Sequence, residues 1–283
     1  QDLARIPNGF IAAAVLAVGL ALFWRGRFGR AAGVLLASLG IVRGDEVARG
    51  REVYIAEGCI HCHSQFIRPR VATEVLNWGP ASPLPDALAA APPLLGTRRQ
   101  GPDLSQVGNR RSWEWNRLHL IAPQSISPGS RMPSYAHLFA GEGREGNALL
   151  AYLAALGVET RQERQQQIDA WQPRLAEVTP PGAAARLFAR LCIQCHGTQG
   201  AGDGALAERL SAPPPNWKTG SWRHVPPGTE VEATLGRIIK FGIPGLPMAG
   251  HEYLSDAEIV GLARHVKTLN NVSGSRSSAV IQP

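Results

Sequence analysis

The chain has 283 residues, 44% of them hydrophobic and 18% charged, and a formal charge of +7. That length accommodates a membrane anchor and two domains of ordinary size, and the apolar content excludes a disordered chain. Outside the N-terminal stretch no Lys/Arg block occurs, which excludes a nucleic-acid binder, and four cysteines are too few for a disulfide scaffold.

Ile6 to Trp24 is 19 residues without a charge. At about 1.5 Å per residue it spans roughly 28 Å, close to the thickness of a bilayer core. A cleaved signal peptide would need a small-residue cleavage site directly behind it, but Arg25, Arg27 and Arg30 follow instead. Residues 1–45 are therefore read as a transmembrane anchor in the lipid bilayer. A second apolar run, Ala31 to Val42, has 12 residues, fewer than the roughly 17 a span needs. Two topologies stay open. Either RGRFGR is a cytoplasmic loop between two crossings, as the positive-inside rule favours, or one span ends with its arginines at the headgroups.

A helical pattern, DEVARGREVYIAEG, leads into Cys59-Ile60-His61-Cys62-His63. C-x-x-C-H is the attachment signature of c-type haem. Two thiols on one turn form thioethers to the haem vinyl groups, and the adjacent imidazole meets the iron. His61, between the thiols, is expected to face solvent. Only 16 residues separate Val42 from Cys59, so this site must lie close to the membrane surface. Gly101-Pro102-Asp103-Leu104 follows, and the Pro102 carbonyl is a candidate acceptor for the Nδ1–H of His63. Met132, 69 residues after His63 in SPGSRMPSYAHL, is the candidate sixth ligand. Glu145 to Leu156 is predicted to be the closing helix.

RQERQQQIDAWQPRLAEVTPP is polar and Gln-rich, and reads as a linker, with room for a helical turn or two, that separates two globules. The pattern then recurs. PGAAARLFARL precedes Cys192-Ile193-Gln194-Cys195-His196, with Pro214-Pro215-Asn216 behind it and Pro215 as the candidate carbonyl acceptor. Met248 stands 52 residues after His196 in GIPGLPMAG. A last helix is predicted over Asp256 to Leu269, opened by a Ser255/Glu258 capping box. The tail NVSGSRSSAVIQP has turn composition. Zinc ribbons place their C-x-x-C pairs roughly 15–20 residues apart, whereas these pairs lie 130 apart with a His behind each. A lone Met is usually core filler. Here two motifs meet the chain's only two methionines in matching order. The expected cofactors are two covalent haem c groups, held by Cys59, Cys62, Cys192 and Cys195 with iron ligands His63, Met132, His196 and Met248. Covalent haem attachment takes place outside the cytoplasm, which puts both sites in the periplasm.

GREVYIAEGCIHCHSQFIRPR and RRQGPDLSQVGNRRSWEWNRLHLIAPQSISPGSRMPSYAHL resemble the membrane-anchored mono-haem cytochrome c subunit of cbb-type haem–copper oxidases. The second motif region is similar to generic class I cytochromes c. The resemblance implies an all-α chain: anchor 1–45, cytochrome domain 46–157, linker 158–180, cytochrome domain 181–270 and loose tail 271–283. It also implies a bacterial inner-membrane subunit that is not catalytic on its own. Its partners would be a catalytic haem–copper membrane subunit and a soluble periplasmic cytochrome c or cupredoxin donor, with no nucleic acid. In that reading the donor docks at the C-terminal site and the N-terminal site faces the membrane partner. The second domain departs from the mono-haem pattern. A nitric oxide reductase subunit and a membrane-tethered dihaem shuttle are the rival functions. A haem peroxidase would need one site to lose its methionine.

Overall fold

The computed structural model describes residues 44–96, 98–173, 179–219 and 222–270. Residues 1–43 and 271–283, with the expected anchor and tail, lie outside the described residues. Among those described, no helix is long and apolar enough to cross a membrane. No strand forms among them either, only an isolated bridge between Gly242 and Ala249.

The helices, in chain order, are α1 (Gly44–Ala56), α2 (Ala72–Trp78), α3 (Leu84–Ala89), α4 (Val107–Arg110), α5 (Trp113–Ile121), α6 (Pro123–Ile126) and α7 (Arg144–Ala155). After these come α8 (Arg161–Ala170), α9 (Ala183–Leu191), α10 (Ile193–His196), α11 (Val231–Phe241) and α12 (Asp256–Asn270). The fold is all-α, and the helices gather around two cores.

In the first core α1 crosses α7. Asp45 and Glu46 in the first turn of α1 favour its positive N-terminal dipole. The crossing is tight because Gly50 has no side chain: a Cβ there would lie 2.0 Å from the carbonyl oxygen of Ala148. Tyr54 then reaches Tyr152 with ring centroids 5.6 Å apart, and the Tyr152 hydroxyl donates to Gln65 Oε1 at 2.7 Å. Leu149, Leu150 and Leu153 complete the apolar face. Each such side chain contributes roughly 1.5–3 kcal/mol by burial.

The second core forms where α9 and α11 pack on α12. Ile259, Leu262, Ala263 and Val266 are all buried, and their spacing puts them on one face of α12. The helix opens with the expected capping box: Ser255 N–H donates to Glu258 Oε2 at 2.9 Å, and Glu258 N–H donates back to Ser255 Oγ at 3.3 Å.

The polar stretch between the two cores is more ordered than its composition suggests. Its first part is α8, and Trp171 just beyond α8 is buried in the second core, edge-on to Phe241 at 5.5 Å. Arg164 explains why so polar a helix forms. It is buried, donates to the carbonyls of Leu76 (2.7 Å) and Asn77 (3.1 Å), and lies 5.1 Å from the Phe241 ring. Its stem packs while its guanidinium satisfies the end of α2, a role that composition alone does not reveal.

Candidate haem sites

The first motif follows α1 through Gly58, whose φ of 70° turns the chain into a 3-10 turn, Cys59–His61. His63 N–H donates to Cys59 O at 2.9 Å, so both thiols and the imidazole share one turn. Cys59 is buried in the first core, and burial pushes its thiol up to about 11. His61 is exposed.

The 101–104 loop holds His63. The His63 Nδ1 lies 2.8 Å from Pro102 O, and Gly101 N–H donates to Cys62 O at 3.0 Å. Gly101 is needed here, since a Cβ would stand 2.2 Å from the His63 ring. Asp103 anchors the loop. Fully buried, its carboxylate accepts from Ser64 Oγ–H, from Phe66 N–H (2.7 Å) and from Ser105 N–H (2.8 Å). Burial lowers the His63 pKa, which keeps the imidazole neutral and fit to ligate a metal. Met132 packs on the same core as Cys59, and Ser130 Oγ accepts from its N–H at 3.2 Å.

The second motif follows α9 in the same way, with His196 N–H donating to Cys192 O at 2.9 Å. One apolar crevice is lined by Cys192, Cys195, His196, Pro215 and Met248, with His224 and His251 also on its wall. Burial pushes Cys192 up to about 12 and His196 down to about 4. Here no carbonyl braces the histidine. His196 Nδ1 is buried and without a hydrogen-bond partner, and its ring stacks on Trp217 at 4.5 Å. The Pro214 carbonyl lies beside Gly202, where a Cβ would come within 2.4 Å of it, and the Gly202 N–H donates to His196 O at 3.0 Å. Pro215 lines the crevice, but its carbonyl forms no hydrogen bond with His196 Nδ1, unlike the expectation from the sequence.

Sequence reasoning missed the contact between the two sites. Arg110 Nε donates to Glu252 Oε1 at 3.0 Å, and Arg111 donates to both oxygens of Glu252 at 2.9 and 2.8 Å and to Gly250 O at 2.9 Å. Glu252 and Arg110 are 3% and 4% exposed. Burial would raise the Glu252 pKa, but the two guanidinium groups outweigh it and hold the carboxyl down to about 2. Residues 141 and 142 positions apart leave no periodic or motif signal in the sequence.

The donor set fits a c-type haem. Each site offers two thiols and a neutral imidazole on one turn, and the second adds a thioether sulfur across an apolar crevice and an unpartnered buried Nδ1. Among the described residues, no group of three or more His, Cys, Asp or Glu side chains is arranged to hold a bare metal ion.

Comparison with known proteins agrees in both halves. Residues 46–173 match the family described as cytochrome C oxidase, mono-heme subunit/FixO. Residues 180–266 match cytochrome C oxidase, cbb3-type, subunit III. No curated protein matches the chain. Among solved structures, a chain of the reducing HAO-like protein complex of Kuenenia stuttgartiensis aligns at 19% identity, over 78% of this chain and 95% of its own. Its TM-score is 0.29, too remote a likeness to bear on the fold.

Proposed function

We propose that this chain, whose residues 46–173 belong to the mono-haem subunit family and 180–266 to the subunit III family of cbb3-type cytochrome c oxidases, is a dihaem electron-transfer subunit of such an oxidase. It takes electrons from a soluble periplasmic donor, a cytochrome c or a cupredoxin, and delivers them to the catalytic haem–copper subunit in the bacterial inner membrane. A haem c bound at each site supplies a one-electron Fe(III)/Fe(II) couple.

The chain's own residues do the rest. Cys59 and Cys62 would tether one haem and Cys192 and Cys195 the other, with His63 and Met132, and His196 and Met248, as the iron ligands. Burial keeps both histidines neutral, the form that ligates. The Pro102 carbonyl orients His63. Each site would thus carry electrons and no oxygen chemistry, and the chain would not be catalytic on its own.

The observation that carries this reading is the second crevice, where two thiols, an imidazole and a methionine converge on one apolar wall. The family match to an oxidase subunit favours the oxidase over a nitric oxide reductase. The test is gentle detergent extraction of the tagged chain from its native membranes, with spectra and metal analysis of what co-purifies. Haem b and copper in stoichiometric amounts are expected. Haem b with non-haem iron and no copper would move the chain to a nitric oxide reductase, and c-type bands on a lone chain would leave a tethered shuttle.

A further inference from the structure

Two helices of the first half, α5 and α6, reach into the second half's crevice. Trp115 and Ile126 line it together with Cys192, His196 and Met248. The Trp115 ring stacks on His119, one turn further along α5, with centroids 4.6 Å apart and planes 11° from parallel. The same helix is anchored in the first core by Leu120, the residue after His119, which is buried there with Cys59. The stacked pair of rings therefore runs from the side of the first core to the wall of the second crevice.

That line is held in place. Arg111 lies 5.0 Å from the centre of the Trp115 ring and is itself fixed on Glu252 and Gly250 O. On the neighbouring residue, both Glu114 oxygens accept from Ser211, from N–H at 2.8 Å and Oγ–H at 2.6 Å. The N-terminal end of α5 is thus bolted to the second half on two sides, with Trp115 between the bolts. A half-buried tryptophan needs no such restraint for packing alone. Electron tunnelling does profit from it, because coupling decays more slowly through tightly packed atoms than across a gap or loosely held water.

We infer that Trp115 and His119 form the bridge for electron exchange between the two haem sites, with Arg111, Glu252 and Glu114 as its positioning residues. The inference rests on the dihaem reading above. In each exchange one Fe(II) is oxidised to Fe(III) at one site and one Fe(III) is reduced at the other; both rings remain closed-shell and no proton moves.

The experiment is flash photoreduction of the full-length chain carrying its haems, following how the electron redistributes between the two sites in wild type, Trp115→Phe and Trp115→Leu. The expected result is an intramolecular phase slowed by an order of magnitude or more in Trp115→Leu and nearly restored in Trp115→Phe. Haem content and both midpoint potentials are measured on each variant, and the rates are compared at matched driving force. A purely packing role would alter haem content or potentials in both variants and leave the rate at matched potentials unchanged. An unchanged rate in Trp115→Leu, or Trp115→Phe as slow as Trp115→Leu, overturns the bridge while the dihaem reading stands. A wild-type chain with one haem and no intramolecular phase overturns the reading itself.

Discussion

His63 and His196 close the same five-residue motif, yet different neighbours hold their imidazoles. A carbonyl 39 residues downstream braces His63, and a buried aspartate fixes the loop that supplies it. His196 has no such brace; it stacks on Trp217 with its Nδ1 unpaired. The motif thus sets which side chains share one turn, while loops far along the chain set how firmly each imidazole is oriented. The two halves also differ at their helix crossings. The first depends on a glycine with no room to spare, whereas in the second Gly236 meets nothing closer than 3.7 Å.

The largest effect should come from Gly101→Ala. Its methyl group would collide with the His63 ring, displacing either the ring or the Pro102 loop. Low-spin EPR of the oxidised protein should then show one of two haem signals replaced and the other intact. Loss of both signals would mean that the sites are not separately built.

Glu252→Ala comes next. It leaves two guanidinium groups without their buried partner, which costs about 3–5 kcal/mol. Denaturant unfolding should change from one cooperative transition to two, as the halves part. The effect has a pH window. The Glu252 pKa is depressed from 4.5 to about 2 in the fold, so its stabilisation is complete above about pH 4.5 and is lost as pH falls toward 2. Wild type and variant should therefore converge near pH 2 and differ most at neutral pH. Equal stabilities at pH 7 would contradict the clamp.

The smallest effects have opposite signs. Gly50→Ala forces α1 away from α7 and should destabilise the first half by about 1–3 kcal/mol. Gly236→Ala, inside α11 with ordinary contacts to Ile259 and Trp171, should stabilise the second half by about 0.5–1 kcal/mol. Thermal unfolding of the two variants checks both, and a matching sign would erase the contrast between the crossings.

Much of this architecture was legible in the residues. Both C-x-x-C-H motifs, the helices leading into them, the closing helices and the Ser255/Glu258 box follow from local spacing and propensity, which a single sequence carries. The Pro102 carbonyl was legible as a candidate because the loop around it has a recognisable composition. What stayed hidden is long-range. Nothing local in Arg110, Arg111 or Glu252 announces an ion cluster, since exposed arginines and glutamates look the same in a sequence. Nothing local in Trp115 marks it for the second site either, and only the packing of the two halves puts it on that crevice wall. The Gln-rich stretch read as a linker because its anchoring residues, Arg164 and Trp171, act through contacts with α2 and α11.

The central claim is that one chain builds two haem sites with different supports. The most direct measurement is the ratio of covalently bound haem to polypeptide, in wild type and in the Cys59→Ala/Cys62→Ala and Cys192→Ala/Cys195→Ala double variants. The account predicts two haems in wild type and one in each variant, with distinct spectra for the haem that remains. A ratio of one in wild type, or no loss in either variant, would contradict it.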